Sequence, residues 1–218
     1  MSAIQLNGAT SGSVTLTPPA VAGTNTLTLP AKTGNIITSA DSGTVTGTML
    51  ASATVTPSNL SQPFTSIGAV ASTSGTAITF TGIPSWAKRV TIMVSGVTMS
   101  ASTTYLGIQV GNGSLVSSGY SGLCSQVTGT NLCQLFSGFT SNFFISNIGA
   151  GSSFSGSVFL NLVGSNTWVL SGNISDVGAG RSNSCNGTIT LSSALDRVSV
   201  TQNGIATFTA GSINVFYE

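Results

Sequence analysis

The chain has 218 residues, 27 of them glycine, with only 4% charged side chains and a formal net charge of +1. So little charge excludes electrostatic capture of nucleic acid or of an anionic membrane surface. The absence of histidine excludes Ser-His and Cys-His nucleophiles and metal sites built on imidazole.

Residues 1–38 carry a short internal echo. SVTLTPPA (Ser13 to Ala20) is followed by NTLTLPA (Asn25 to Ala31), each a brief alternating strand stopped by proline, with VAGTN as the turn between. Two such strands cannot bury a core on their own. Their apolar residues, Ile4, Leu6, Val14, Leu16, Leu27 and Leu29, are therefore expected to attach the segment to a larger surface. The opening residues MSAIQLNGATSGS show no basic region followed by an apolar run, so no signal peptide is expected. Residues 39–63 are poor in apolar side chains and rich in Gly, Ser, Thr and Pro, which reads as a linker or stalk. Within it, TPSNLSQP could form one helical turn capped by Ser58.

From Phe64 onward a period of two dominates. Expected strands cover 66–72, 76–82, 88–97, 104–111, 121–127, 132–137, 142–148, 156–163, 167–174, 186–192, 196–202, 205–209 and 211–217. Glycine and asparagine turns separate them, as at Gly111-Asn112-Gly113 and Asn203-Gly204. The clearest is GIPSWAKRVTIMVSGV, where Val90, Ile92 and Val94 face one way and Thr91, Met93 and Ser95 the other. Many short strands at this spacing indicate an antiparallel β-sandwich of jelly-roll type over 64–218. The expected core is Ile78, Phe80, Val90, Ile92, Val94, Leu106, Ile108, Val110, Val158, Leu160, Leu162, Ile189, Leu191, Val198 and Val200. No apolar run reaches 18 residues, so no membrane-spanning helix is expected. The low charge also leaves little to keep copies apart, and a permanent assembly is the natural outcome.

Little in the chain suggests chemistry. The carboxylates are Asp41, Asp176, Asp196 and Glu218. Glycoside hydrolysis needs two flanking a substrate, and Asp176 with Asp196 is the one pair to consider. Both read more simply as turn or ion-pair residues, and no enzyme is expected. Gly-x-Gly runs lack a following helix or lysine, so no phosphate or nucleotide cofactor is implied. Cys124, Cys133 and Cys185 read as small buried thiols, with Cys124 and Cys133 close enough in sequence to meet across a hairpin. Sugar recognition uses aromatic faces among neutral hydrogen-bonding groups. Tyr120 in SSGYSG, Phe139 and Tyr105 are the receptor-contact candidates. Phe136, Phe143 and Phe144 crowd the same segment and read first as packing. Trp86, Trp168 and the pair Lys88-Arg89 read as structural.

Several of these stretches resemble bacteriophage fibre proteins. LNGATSGSVTLTPPAVAGTNTLTLPAKTGNI (Leu6 to Ile36) resembles a repeat near their N-termini, and VTPSNLSQP (Val55 to Pro63) resembles the linker before their C-terminal domains. TAITFTGIPSWAKRVTIMVSGV resembles the opening of that domain, and LDRVSVTQNGIATFTAGSINVFYE its closing strands. Residues 112–185 carry much weaker resemblance. The resemblance implies a virion structural protein, assembled in the host cytoplasm, forming a homotrimeric fibre. Its N-terminus would hold capsid, collar or tail proteins, and its β-rich tip would be able to bind host surface polysaccharide. The repeat begins almost at Met1, so a short head or collar fibre, or a capsid decoration, fits as well as a tail fibre. A stand-alone carbohydrate-binding module is the alternative.

Overall fold

A computed structural model describes residues 4–17, isolated positions between 20 and 31, and residues 62–218 apart from 102–104, 130–132 and 150. The expected stalk, up to residue 61, and the helical turn capped by Ser58 lie outside the described residues, as do Leu27 and Leu29. The chain divides into two compact units, residues 1–52 and 53–218. All regular structure among the described residues is β.

The first unit contains an antiparallel hairpin of β1 (Ile4–Asn7) and β2 (Ser13–Leu16), with Ile4 opposite Leu16 and Leu6 opposite Val14. Ile4 and Leu6 are 63% and 58% exposed.

The second unit holds two antiparallel sheets around one hydrophobic core. The smaller sheet contains β5 (Ala77–Thr81), β7 (Tyr105–Asn112), β8 (Ser114–Leu115), β11 (Phe143–Asn147) and β15 (Arg197–Gln202). Its order is β11-β7-β15-β5, with β8 folded back on β7. The larger sheet contains β3 (Thr65–Ser66), β4 (Val70–Ala71), β6 (Arg89–Met99), β9 (Ser121–Thr128), β10 (Cys133–Ser137), β12 (Phe154–Gly164), β13 (Thr167–Asp176), β14 (Arg181–Thr190) and β16 (Phe208–Tyr217). Its order is β10-β9-β14-β13-β12-β6-β16-β3, with β4 also on β16. Chain-consecutive strands mostly alternate between the sheets, except in the meander β12-β13-β14 and the hairpins.

The alternation read in β6 holds. Val90, Ile92 and Val94 are buried, while Met93 and Ser95 are exposed. Of the expected core, all but Leu162 are buried, and Leu162 packs partly buried against it. Phe154, Phe208, Ile145, Ile174, Leu195 and Ile213 complete the interior.

Three strands differ from expectation. The single strand 66–72 is two short pieces, broken at Gly68, which takes φ 106°. The segments 205–209 and 211–217 form one bulged strand, β16, whose register shifts around Ala210. The strand placed at 186–192 begins earlier, at Arg181, because its inward residues include the polar Asn183.

The cysteine reading is corrected. Cys133 lies opposite Val127, exposed and free, while Cys124 lies opposite Cys185 on β14. The latter two form a buried disulfide, with sulfurs 2.07 Å apart. Each sulfur also touches the Ile145 carbonyl oxygen, at 3.1 and 3.3 Å; a disulfide sulfur has no proton, so these are packing contacts. The β9–β10 register sets Cys124 against Phe136, so it cannot meet Cys133.

Candidate functional site

Three partly exposed aromatics of the second unit, Tyr105, Phe136 and Phe139, gather where β7, β10 and β11 meet. β10 ends at Ser137, and a five-residue loop opening with Gly138 leads into β11. Gly138 takes φ 81°, a conformation a Cβ would penalise. The Tyr120 backbone N–H donates to the Thr140 carbonyl at 3.2 Å, and the Gln109 side-chain amide to the Ser141 carbonyl at 3.0 Å. Asn142 Nδ2 donates to the Tyr105 hydroxyl at 3.2 Å. The loop is therefore held at two places on β7 and once by the residue before β9, and cannot drift without breaking these bonds.

Phe139 sits on this loop and stacks on Phe144 with centroids 4.5 Å apart. Phe144 stacks in turn on Phe136, at 4.7 Å. Tyr105 meets Phe139 edge-on at 5.0 Å and Phe144 tilted at 5.3 Å. Phe144 is buried in the middle, whereas Tyr105, Phe136 and Phe139 are half-buried. Offset and edge-to-face ring contacts of this kind add roughly 0.5–1.5 kcal/mol beyond burial, so the cluster is both rigid and partly presented. Beside it is a small notch with buried walls at Asn142, Phe143 and Phe144 and a more open rim at Gly122, Leu123, Phe139 and Asn186. No charged side chain occurs from Val90 to Ser175, so the surroundings are neutral.

Tyr105 and Phe139, two of the three receptor-contact candidates, thus come together. Tyr120 does not join them at the surface. It is 3% exposed, accepts the Val110 N–H at 2.8 Å and donates to the Val116 carbonyl at 3.0 Å. Burial pushes its pKa up to about 12, although the bond from Val110 pulls the other way. Its ring packs edge-on against Phe143 at 4.9 Å. Asn142 and Asn186 were not singled out by the sequence, since a lone asparagine near a turn carries no periodic signal.

The carboxylates serve local structure. Asp176 is fully buried: Oδ2 accepts the Ser152 hydroxyl at 2.6 Å, and Oδ1 accepts the backbone N–H of Ser153 and Ala179 at 2.9 and 3.2 Å. Arg181 lies 3.9 Å away. Asp196 pairs with Arg197 at 2.8 Å and accepts the Gly113 N–H at 2.9 Å, which pins the β7–β8 turn. The hydrogen bond from Arg197 is the main reason its carboxyl titrates below the usual range. Arg89 pairs with Glu218 at 3.2 Å and lies over the Phe159 ring at 4.6 Å. Among the described residues, no group of three or more His, Cys, Asp or Glu is arranged to hold a metal. No helix among them is long and apolar enough to cross a membrane.

Of the attachment candidates, Ile4 and Leu6 are exposed on β1, and Val14 and Leu16 pair with them through the backbone of β2. No family model, no curated protein and no solved structure matches this chain.

Proposed function

We propose that this chain is a bacteriophage virion structural protein, a short homotrimeric fibre or decoration of the tail, head or collar. Its N-terminal segment attaches it to capsid, collar or tail proteins, residues 39–63 form the stalk, and a jelly-roll sandwich projects outward to contact host surface glycans. The observation that carries the reading is the N-terminal hairpin. Two four-residue strands present Ile4 and Leu6 to solvent, and a lone hairpin of this size is marginal in water. Such an element gains stability only by lying on another surface.

The strand orders support the jelly roll. One sheet runs β5-β15-β7-β11 and the other β6, then the β12–β14 meander, then β9-β10, with the chain alternating between them. Such an arrangement is what a double Greek key jelly roll would give, with three strands in place of one and β16 added beyond β6. The neutral aromatic cluster around Tyr105 and Phe139 supports glycan contact without catalysis, because both buried or paired carboxylates are already engaged. The same cluster favours the alternative, a stand-alone carbohydrate-binding module.

Virions with and without the chain discriminate the two readings. Loss of short projections on deletion, with no restoration by an Ile4→Asp/Leu6→Asp chain, is the expected result. Particles identical in the presence and absence of the chain would overturn the virion role, and glycan binding would then favour the module. By light scattering the full chain is expected as a trimer, and a stable monomer with an ordered N-terminus would sink the fibre.

A further inference from the structure

The larger sheet ends on one side in β10, whose sequence CQLFS has neither charge nor proline. Natural edge strands are usually shielded by charge, proline, bulges or brevity, because unpaired backbone groups recruit other strands. The opposite end of this sheet is shielded: β3 and β4 are two residues each and separated by a break. In the smaller sheet one edge strand, β11, is buried along Phe143–Ser146, and the other, β5, exposes only the small side chains of Ala77, Thr79 and Thr81. Among the described residues β10 pairs with β9 alone.

Several outward side chains at this end are apolar, interleaved with Ser125 and Ser137. Leu135 is 70% exposed, Leu123 48% and Val127 47%, and Cys133 is exposed beside them. The register places Leu135 opposite Ser125, diagonal to both Leu123 and Val127. Diagonal cross-strand neighbours lie about 7–8 Å apart, so these side chains form one patch. The next strand inward, β14, presents Ser182, Ser184, Asn186 and Thr188 on the same face, so the patch stops there.

We propose that this edge and its patch are where a second copy of this chain packs in the assembled fibre. The proposal rests on the trimer reading above and names the surface that reading needs. A second copy fits for two reasons. No charge lies anywhere between Arg89 and Asp176, so nothing here repels an identical surface or selects a charged partner. Copies tethered through their N-terminal segments also meet at effective concentrations of order mM, which lowers the affinity a small patch must supply.

The test uses the full chain, and Leu135→Lys is the perturbation because its position is too exposed to unfold the sheet. Sedimentation is expected to show a trimer for the unaltered chain and a shift toward monomer for the variant, with dissociation at least about tenfold easier, the scale of one buried side chain. Maleimide labelling of Cys133 is the second measurement. Labelling is expected to be slow in the trimer and at least about tenfold faster in the variant. A trimer that survives Leu135→Lys, with Cys133 labelled equally fast in both proteins, overturns the surface and leaves the trimer standing. An unaltered chain that is monomeric overturns the trimer reading itself.

Discussion

Replacing Tyr120 by Phe tests how the β7–β8 corner is held. The substitution keeps the ring, so the edge-on contact with Phe143 persists. It removes the oxygen that accepts the Val110 N–H at 2.8 Å and donates to the Val116 carbonyl at 3.0 Å. Val110 is fully buried, and its N–H is left without that partner. An orphaned buried donor costs about 1–3 kcal/mol, so urea unfolding at neutral pH is expected to show a loss of about 2 kcal/mol with an unchanged slope. The pH dependence supplies a second signature. The folded pKa is pushed up to about 12 from an ordinary value near 10, so the folded state holds its proton longer than the unfolded state. The contribution is fully present below about pH 10 and is lost as pH rises toward 12, by roughly 2–3 kcal/mol for two units. The Phe variant lacks that loss, so its deficit relative to the parent is expected to shrink above pH 10. A variant within about 0.5 kcal/mol of the parent, or a deficit as large at pH 11.5 as at pH 8, would refute the hydrogen-bonding role.

Three further outcomes are expected. Unfolded without reductant, the chain should present one reactive thiol, Cys133, and three after reduction; three without reduction would contradict the Cys124–Cys185 pairing. Asp176→Asn should cost about 3 kcal/mol in denaturant unfolding, because the amide cannot replace both oxygens as acceptors and strands the half-buried Arg181. A loss under about 1 kcal/mol would mean that the carboxylate is not the clasp of its turn. Asp196 has a depressed folded pKa, so its contribution is present above the unfolded carboxylate range near 4 and is lost as pH falls through the folded value. Asp196→Asn should therefore flatten the acid limb of thermal stability below about pH 4, and an unchanged limb would refute that.

The parts of the fold legible in the sequence are those whose interior is aliphatic. β6 and β15 bury Val90, Ile92, Val94, Val198 and Val200 at a period of two, and their bounds differ from expectation by a residue or two. β14 was misplaced because its interior is partly polar. Asn183 is buried, accepts from the Gln126 amide at 2.8 Å and donates to the Ile174 carbonyl at 2.9 Å, so the hydrophobic period fades just where the strand begins. The disulfide was hidden for a related reason. Cys124 and Cys185 are 61 residues apart, and only the β9–β14 register brings them together. The site was half legible. Tyr105 and Phe139 could be named as aromatics in a neutral setting, but their contact spans two strands and a loop. Tyr120 looked available because SSGYSG reads as a loop, yet its hydroxyl closes a hydrogen-bonding gap that only the folded β7–β8 corner creates.

The few charges show how such a surface can stay neutral. Asp176 with Arg181 clasps the β13–β14 turn, Asp196 with Arg197 pins the β7–β8 turn, and Glu218 with Arg89 fastens the last strand beside β6. Each pair sits at a strand end. Among the described residues only Lys88 is a charged side chain outside such a pair. Away from the apolar residues of β9 and β10, much of the outward face of β13 and β14 is left to hydroxyls and amides, such as Asn173, Ser184 and Thr188. A domain built this way has only a weak field with which to attract or orient a partner, because the paired charges largely cancel beyond about a Debye length and Lys88 alone among the described residues is left over. What remains for recognition is shape, hydrogen bonding and aromatic faces. Around the loop that carries Phe139 four aromatic rings cluster, and three of them, Tyr105, Phe136 and Phe139, are partly exposed around the buried Phe144.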